Sequence, residues 1–196
     1  MKKNISLIVG IFAAIAIATL LLDVRVKPRV RTIDDIAEKS SIKVRIAPDF
    51  SATDIRGRKV RLSDFKGKIV ILHFWATWCP PCVGEFPKLT AMANSFRDDV
   101  VVLALSSDSQ EKTIRQFITQ SAPASAKLAS FYSVWDENRA VTHDLYQTFS
   151  YPETIIIDRN AAMVRKIPGD ADWTSQEMTS YLEDIAGTIA KPPLNP

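Results

Sequence analysis

Phe74-Trp75-Ala76-Thr77-Trp78-Cys79-Pro80-Pro81-Cys82 is the stretch from which the fold of this chain is read. Cys79 and Cys82 are the only two cysteines in 196 residues, and they stand three positions apart. Before them, Ile69 to Trp75 is a continuous β-branched, aliphatic and aromatic run, the pattern of a strand covered on both faces. After them, Pro80 to Phe96 reads as a helix, with Pro87 expected to kink it. The pair therefore lies at a strand-to-helix junction.

That location makes a thiol reactive. The free N–H groups and the positive dipole end of a helix stabilise a thiolate at its start, lowering a cysteine pKa from about 8.5 towards roughly 3.5 to 7.5. Cys79 is the expected attacking sulfur. Cys82, one turn into the helix, lies on the same face and can resolve a mixed disulfide formed at Cys79. Pro80 and Pro81 remove both intervening N–H donors and stiffen the loop. A structural bridge closing so short a loop would constrain the unfolded chain little, and two sulfurs with the distant His73 and His143 make a poor zinc set. Peroxidatic chemistry would require Pro-x-x-x-Thr-x-x-Cys, but Leu72 and Ala76 occupy those offsets before Cys79.

The length allows one domain and an appendage and excludes a solenoid of many repeats. Two cysteines exclude a multi-bridge secreted scaffold, a four-cysteine zinc site and an N-terminal lipid-accepting cysteine. The formal charge is +3, and Lys2 and Lys3 carry part of it, which argues against nucleic acid as a partner. Residues Asn4 to Leu22 are uncharged, and as a helix their 19 residues would span about 28 Å, near the thickness of a bilayer core. The range 1–22 is thus expected to be a membrane anchor or signal. The only small-x-small site, Ala16-Ile17-Ala18, lies inside the run, so an uncleaved anchor is favoured. Arg25, Lys27, Arg29 and Arg31 on the far flank oppose export by charge bias, yet the short basic start followed by an apolar run resembles a secretory signal. The expected location is an inner membrane, with the remaining chain in the periplasm or another extracytoplasmic space.

Residues 23–43 alternate charged and small apolar side chains around Pro28 and read as a linker. Phe50 to Asp54 and Lys59 to Leu62 form a candidate hairpin around Ile55-Arg56-Gly57-Arg58. Val100 to Leu105 is a second buried strand. Gln110 to Gln120, Arg139 to Tyr146 and Ser175 to Ala186 read as helices, and Thr154 to Ile157 with Met163 to Ile167 as a terminal hairpin. This order argues for an α/β layered domain.

The cysteine stretch, with Pro87 following, resembles the thioredoxin superfamily. Ala47-Pro48-Asp49-Phe50, Leu62-Ser63-Asp64-Phe65-Lys66-Gly67-Lys68 and the N-terminal apolar run resemble its TlpA/ResA/DsbE branch of tethered, exported thiol-disulfide oxidoreductases. The resemblance implies a thioredoxin fold, a mixed central sheet flanked by helices, over residues 44–190, with an N-terminal hairpin extension and a tail at 191–196. It also implies that Tyr151–Pro152, in Tyr151-Pro152-Glu153-Thr154, is a cis peptide opposite the cysteines, with the backbone near Tyr151 pairing with an extended substrate. Pro152-Glu153-Thr154 is similar to cytochrome c maturation members, although Ser150-Tyr151 departs from their small residues.

Glu85 matches the acidic residue that follows the cysteine pair in this branch, which implies proton management at Cys82; an exposed acid favouring the helix start is the alternative. His73 departs from the family, standing six before Cys79, and is either a packed core residue or a proton-transfer group. His143 is expected at the surface. Trp78, Pro80, Pro81, Tyr151 and Pro152 are the candidate substrate contacts, and Trp75 a packing residue. The expected activity is reduction of disulfides in exported proteins, cytochrome c maturation among them, fed by a membrane thiol-electron donor and needing no cofactor. A disulfide oxidase or isomerase, a copper-binding assembly protein using the same thiols, and a non-catalytic binding module remain alternatives.

Overall fold

The computed structural model describes residues 44–187. The expected anchor, linker and tail, and residues 188–190, lie outside the described residues, among which no helix is long and apolar enough to cross a membrane. Strands β1 (Ser51–Thr53) and β2 (Lys59–Arg61) pair antiparallel, and a 3-10 turn follows at Leu62–Phe65. The main sheet contains β3 (Ile69–Trp75), β4 (Val100–Ser106), β5 (Phe131–Trp135), β6 (Glu153–Ile157) and β7 (Met163–Pro168). The helices are α1 (Pro80–Phe96), α2 (Glu111–Gln120), α3 (Pro123–Lys127) and α4 (Gln176–Gly187).

The sheet order is β5-β4-β3-β6-β7, with β3, β4 and β5 parallel and β6 and β7 antiparallel to their neighbours. This is the mixed sheet of a thioredoxin fold. Every residue of β3 and β4 is buried, which accounts for their unbroken apolar sequence. Alternation sends Ile69, Ile71 and Trp75 to one face, where α1 and α4 cover them with Phe86, Leu89, Met178 and Leu182. Val70, Leu72 and Phe74 point to the other, against Phe50, Val60, Leu62 and Tyr146. On the first face Phe86 is ringed by Trp75, Phe117 and Phe131 at centroid distances of 4.6, 5.2 and 5.4 Å.

The expected elements are present with ends moved by one or two residues, and three points differ. Strand β5 and helix α3 were not legible in the sequence. Phe131-Tyr132-Ser133-Val134-Trp135 has a serine at its centre and one face only half covered, so its apolar pattern is short. Arg139 to Tyr146 forms a π-helical segment over Ala140–Leu145, in which the amide of Tyr146 reaches the carbonyl of Val141. Buried Asp136 shapes it by accepting hydrogen bonds from the amides of Val141 and Thr142 and from the Thr142 hydroxyl.

The apparent hairpin turn is an ion-pair clamp. Asp54 accepts from the amides of Arg56 and Arg58 and from both guanidinium Nε groups, at 3.2 and 2.8 Å for the latter. Arg58 continues to the carbonyls of Ala129 and Phe131 and stacks on Tyr132. The β1–β2 extension is thereby tied to the edge of the main sheet.

Truncation of Phe86 to alanine leaves a void among three rings, and equilibrium denaturant unfolding should show a loss of about 3–5 kcal/mol.

Candidate active site

Strands β3 and β4 end in register at Trp75 and Ser106, so the loops leaving them meet at the carboxyl edge of the sheet. Ligand sites of parallel sheets lie at such an edge. The amide of Ser107 donates to the carbonyl of Trp75. Buried Asp108 then accepts from the Thr77 amide and hydroxyl at 3.0 and 2.6 Å and from the Ser106 hydroxyl. These bonds fix the three residues that carry the chain from β3 to Cys79.

Cys79 is the N-cap of α1 in an extended conformation, and its sulfur accepts from the Cys82 amide at 3.3 Å. Pro80 and Pro81 occupy the first two helical positions and have no N–H, so the Cys82 amide is the first donor that the helix offers the sulfur. The two cysteines form a disulfide with Cα atoms 5.3 Å apart. They are not equivalent: Cys79 retains 5% exposure and Cys82 none. Of the two, only Cys79 has surface open to an incoming group.

The Tyr151–Pro152 peptide is cis, as the resemblance implies. Tyr151 is held in place: its hydroxyl donates to Ser107 Oγ at 2.8 Å and lies 3.2 Å from His143 Nε2. Trp78, 60% exposed, meets the Tyr151 ring edge-on at 5.7 Å. Pro80 and Pro81 are exposed beside it, whereas Pro152 is buried. His143 is therefore half-buried against Tyr151 and not a simple surface residue, because the π-helical segment turns it inwards. Phe149, 67% exposed, lies against the His143 ring at 5.2 Å.

One turn along α1 from Cys82 begins a buried polar group that the sequence shows only in part. Glu85 is 5% exposed, which removes the alternative of an exposed acid at the helix start. Its Oε2 accepts from the Ala171 amide at 2.9 Å, and its Oε1 stands 3.3 Å from His73 Nδ1. The same nitrogen is 2.9 Å from Thr154 Oγ1, on the residue directly opposite His73 in the β3–β6 register. Burial pushes the Glu85 carboxyl up to about 7; the charge of Asp170 adds to this, while the Ala171 amide and Trp173 indole oppose it. Burial alone drives His73 down to about 3.

Asp108, Ser107 and Thr154 were not singled out from the sequence. Ser106-Ser107-Asp108 is a polar run at the end of a buried strand, a signal of an edge site that becomes specific only once β4 is known to lie parallel to β3. Thr154 acquires meaning from its pairing register alone.

Comparison with known proteins adds to this geometry. The AhpC/TSA family model matches residues 44–166. The chain is similar to a thiol-disulfide oxidoreductase ResA from Bacillus cereus, 30% identical over 151 residues that make up 76% of this chain and 82% of that one. The thioredoxin-like protein YneN of Bacillus subtilis is 37% identical over 124 residues, covering 60% of this chain and 66% of YneN. Among solved structures, a protein assigned as thiol:disulfide interchange protein DsbE from Chlorobium tepidum superposes with a TM-score of 0.64 at 27% identity, covering 74% of this chain and 97% of that one.

The two shifted groups give opposing pH dependences. Glu85 binds its proton more tightly in the folded chain, so the stability it contributes is present below about 4.5 and is lost as pH rises through about 7. His73 resists protonation when folded, so its contribution is present above about 6.5 and is lost as pH falls through about 3. Thermal unfolding of the oxidised protein across this range should show a maximum between about 4.5 and 6.5, and Glu85→Gln should flatten its alkaline limb.

Proposed function

Because the chain belongs to the AhpC/TSA family and is a thiol-disulfide oxidoreductase of the ResA and DsbE type, we propose that it reduces disulfides in exported proteins from a membrane-tethered position. The observation that carries the assignment of roles is the unequal burial of the two cysteines at the start of α1. Cys79 thiolate attacks a substrate disulfide, forming a Cys79–substrate bond and releasing one substrate thiolate. Cys82 loses its proton, attacks Cys79 Sγ and releases the second thiolate, leaving the Cys79–Cys82 disulfide. The substrate gains two electrons and the enzyme loses two. A membrane dithiol carrier returns them by the same exchange in reverse.

Glu85, one turn beyond Cys82 on α1 and with a proton affinity raised towards neutrality, suits the transfer of the Cys82 proton. Trp78, next to Cys79 in the chain, and Tyr151 against it offer ring surface to an extended segment carrying the target disulfide. Tethering draws its support from the uncharged run Asn4 to Leu22 behind Lys2 and Lys3. Cytochrome c maturation is the narrower form of this reading. Pro152-Glu153-Thr154 supports it, and the bulk of Tyr151 before the proline weighs against it.

The full chain in detergent, equilibrated with thiol buffers, should have a reduction potential at or below that of thioredoxin, about −270 mV. A value near −120 mV would make it an oxidase instead. In cells, Cys82→Ser should accumulate mixed disulfides through Cys79, and Cys79→Ser should accumulate none. Stoichiometric Cu(I) binding without thiol exchange would identify a copper-assembly protein.

A further inference from the structure

His73 interrupts an otherwise apolar layer made by Ile69, Ile71 and Trp75 under α1. It is fully buried, and a buried imidazole with one nitrogen unpartnered is expensive unless the other nitrogen does something specific. Nε2 has no hydrogen-bond partner among the described residues. A hydrogen placed there would be an orphaned buried donor, which folded proteins tolerate less well than an unused acceptor. The neutral tautomer that fits carries its hydrogen on Nδ1. That hydrogen is bonded to Thr154 Oγ1 at 2.9 Å, and Glu85 Oε1, which accepts no hydrogen bond of its own among the described residues, stands 3.3 Å from the same nitrogen.

We propose that His73 is a positioning residue whose Nδ1–H, bonded to Thr154 and 3.3 Å from Glu85 Oε1, stabilises the ionised Glu85 carboxylate electrostatically and so keeps it competent to take the Cys82 proton near neutral pH. This rests on the assignment of Cys82 as the resolving thiol. The other charged groups around Glu85 act differently. Asp170, on the loop after β7, opposes its ionisation. Lys88 of α1 is drawn to Asp172 at 3.2 Å. Glu153 of β6 is engaged by Thr148 and Lys166, and Glu177 of α4 by Arg165. The Ala171 amide and the Trp173 indole offset the burial of the carboxyl at one side, and His73 Nδ1 is the polar group that stands against Oε1. His73 reaches it from β3, on the sheet face that α1 covers.

The proton inventory is closed. Glu85 carboxylate removes the Cys82 proton as the Cys82–Cys79 bond forms and the Cys79–substrate bond breaks. The protonated carboxyl then returns its proton to solvent, and His73 keeps its own throughout.

The test uses the reduced full-length chain and the aromatic disulfide 5,5′-dithiobis(2-nitrobenzoate), whose two thiolates are released in succession. The first release reports attack by Cys79 and the second resolution by Cys82, each followed by visible absorbance across a pH series. His73→Leu removes the donor: the midpoint of the second release should rise by about one pH unit and its rate at pH 7 fall about fivefold, with the first release unchanged. His73→Asn, whose side-chain amide places an N–H close to the Nδ1 position, should restore the midpoint. Thr154→Val removes the competing acceptor and should move the midpoint the other way. In a Glu85→Gln background, His73→Leu should shift nothing further. An unmoved midpoint in His73→Leu, a shift of the same sign in Thr154→Val, or failure of His73→Asn to restore it would overturn the inference and reduce His73 to packing. Absence of a second release in the unaltered chain would overturn the role of Cys82, and this inference with it.

Discussion

The position of β3 at the centre of the sheet is the constraint on which the rest of this molecule hangs. It is bonded to parallel β4 on one side and antiparallel β6 on the other, and no residue of it reaches solvent. A strand so placed must be apolar on both faces, must end where its neighbours end, and must deliver the next residues to the edge of the sheet. That edge is where Cys79 begins α1. The same pairing brings Thr154 of β6 against His73, and the polarity of the site floor follows from a register shared by two strands.

Around this frame the connecting loops are shaped by buried carboxylates. Asp54, Asp108 and Asp136 each accept from backbone amides of a chain reversal and from a side chain beside it. A buried carboxylate is costly unless fully bonded, so each of these loops has one favourable conformation. Two of them border the cysteines: Asp108 holds the approach to Cys79, and Asp136 sets the π-helical segment that turns His143 towards Tyr151. The rings of Trp78, Tyr151 and Phe149 are therefore mounted on fixed loops.

The sequence carried the fold wherever burial was complete. Ile69 to Trp75, Val100 to Leu105 and the helix after Cys79 could be read directly, because unbroken apolar runs and a cysteine pair at a junction leave few alternatives. Strand β5 could not, since a five-residue edge strand with a serine at its centre has too short an apolar pattern. The place of the cysteine pair at a helix start was legible from spacing, and Glu85 was marked by its resemblance to the acidic residue that follows such pairs. The pairing of His73 with Glu85 and Thr154 was not, because it joins residues 12 and 81 positions apart and depends on strand register. His143 was misplaced for a related reason: a helical periodicity of 3.6 gives the wrong face when the segment is wound wider.

The treatment of the two sheet edges bears on how such a protein can handle unfolded chains. Along β5, the carbonyls of Phe131 and Ser133 are occupied by Arg58 and by the amide of Ile55, brought there by the β1–β2 extension. Along β7, the amide of Met163 is taken by Arg45, Lys166 projects outwards, and the strand ends in Pro168. Both borders are thus closed to the strand-on-strand adhesion by which open sheets gather misfolded neighbours. A catalyst whose clients arrive extended and sticky would foul quickly with bare borders. Blunting them leaves the exposed rings beside Cys79 as open apolar surface, so that on the proposed reading capture and chemistry would occur at one place.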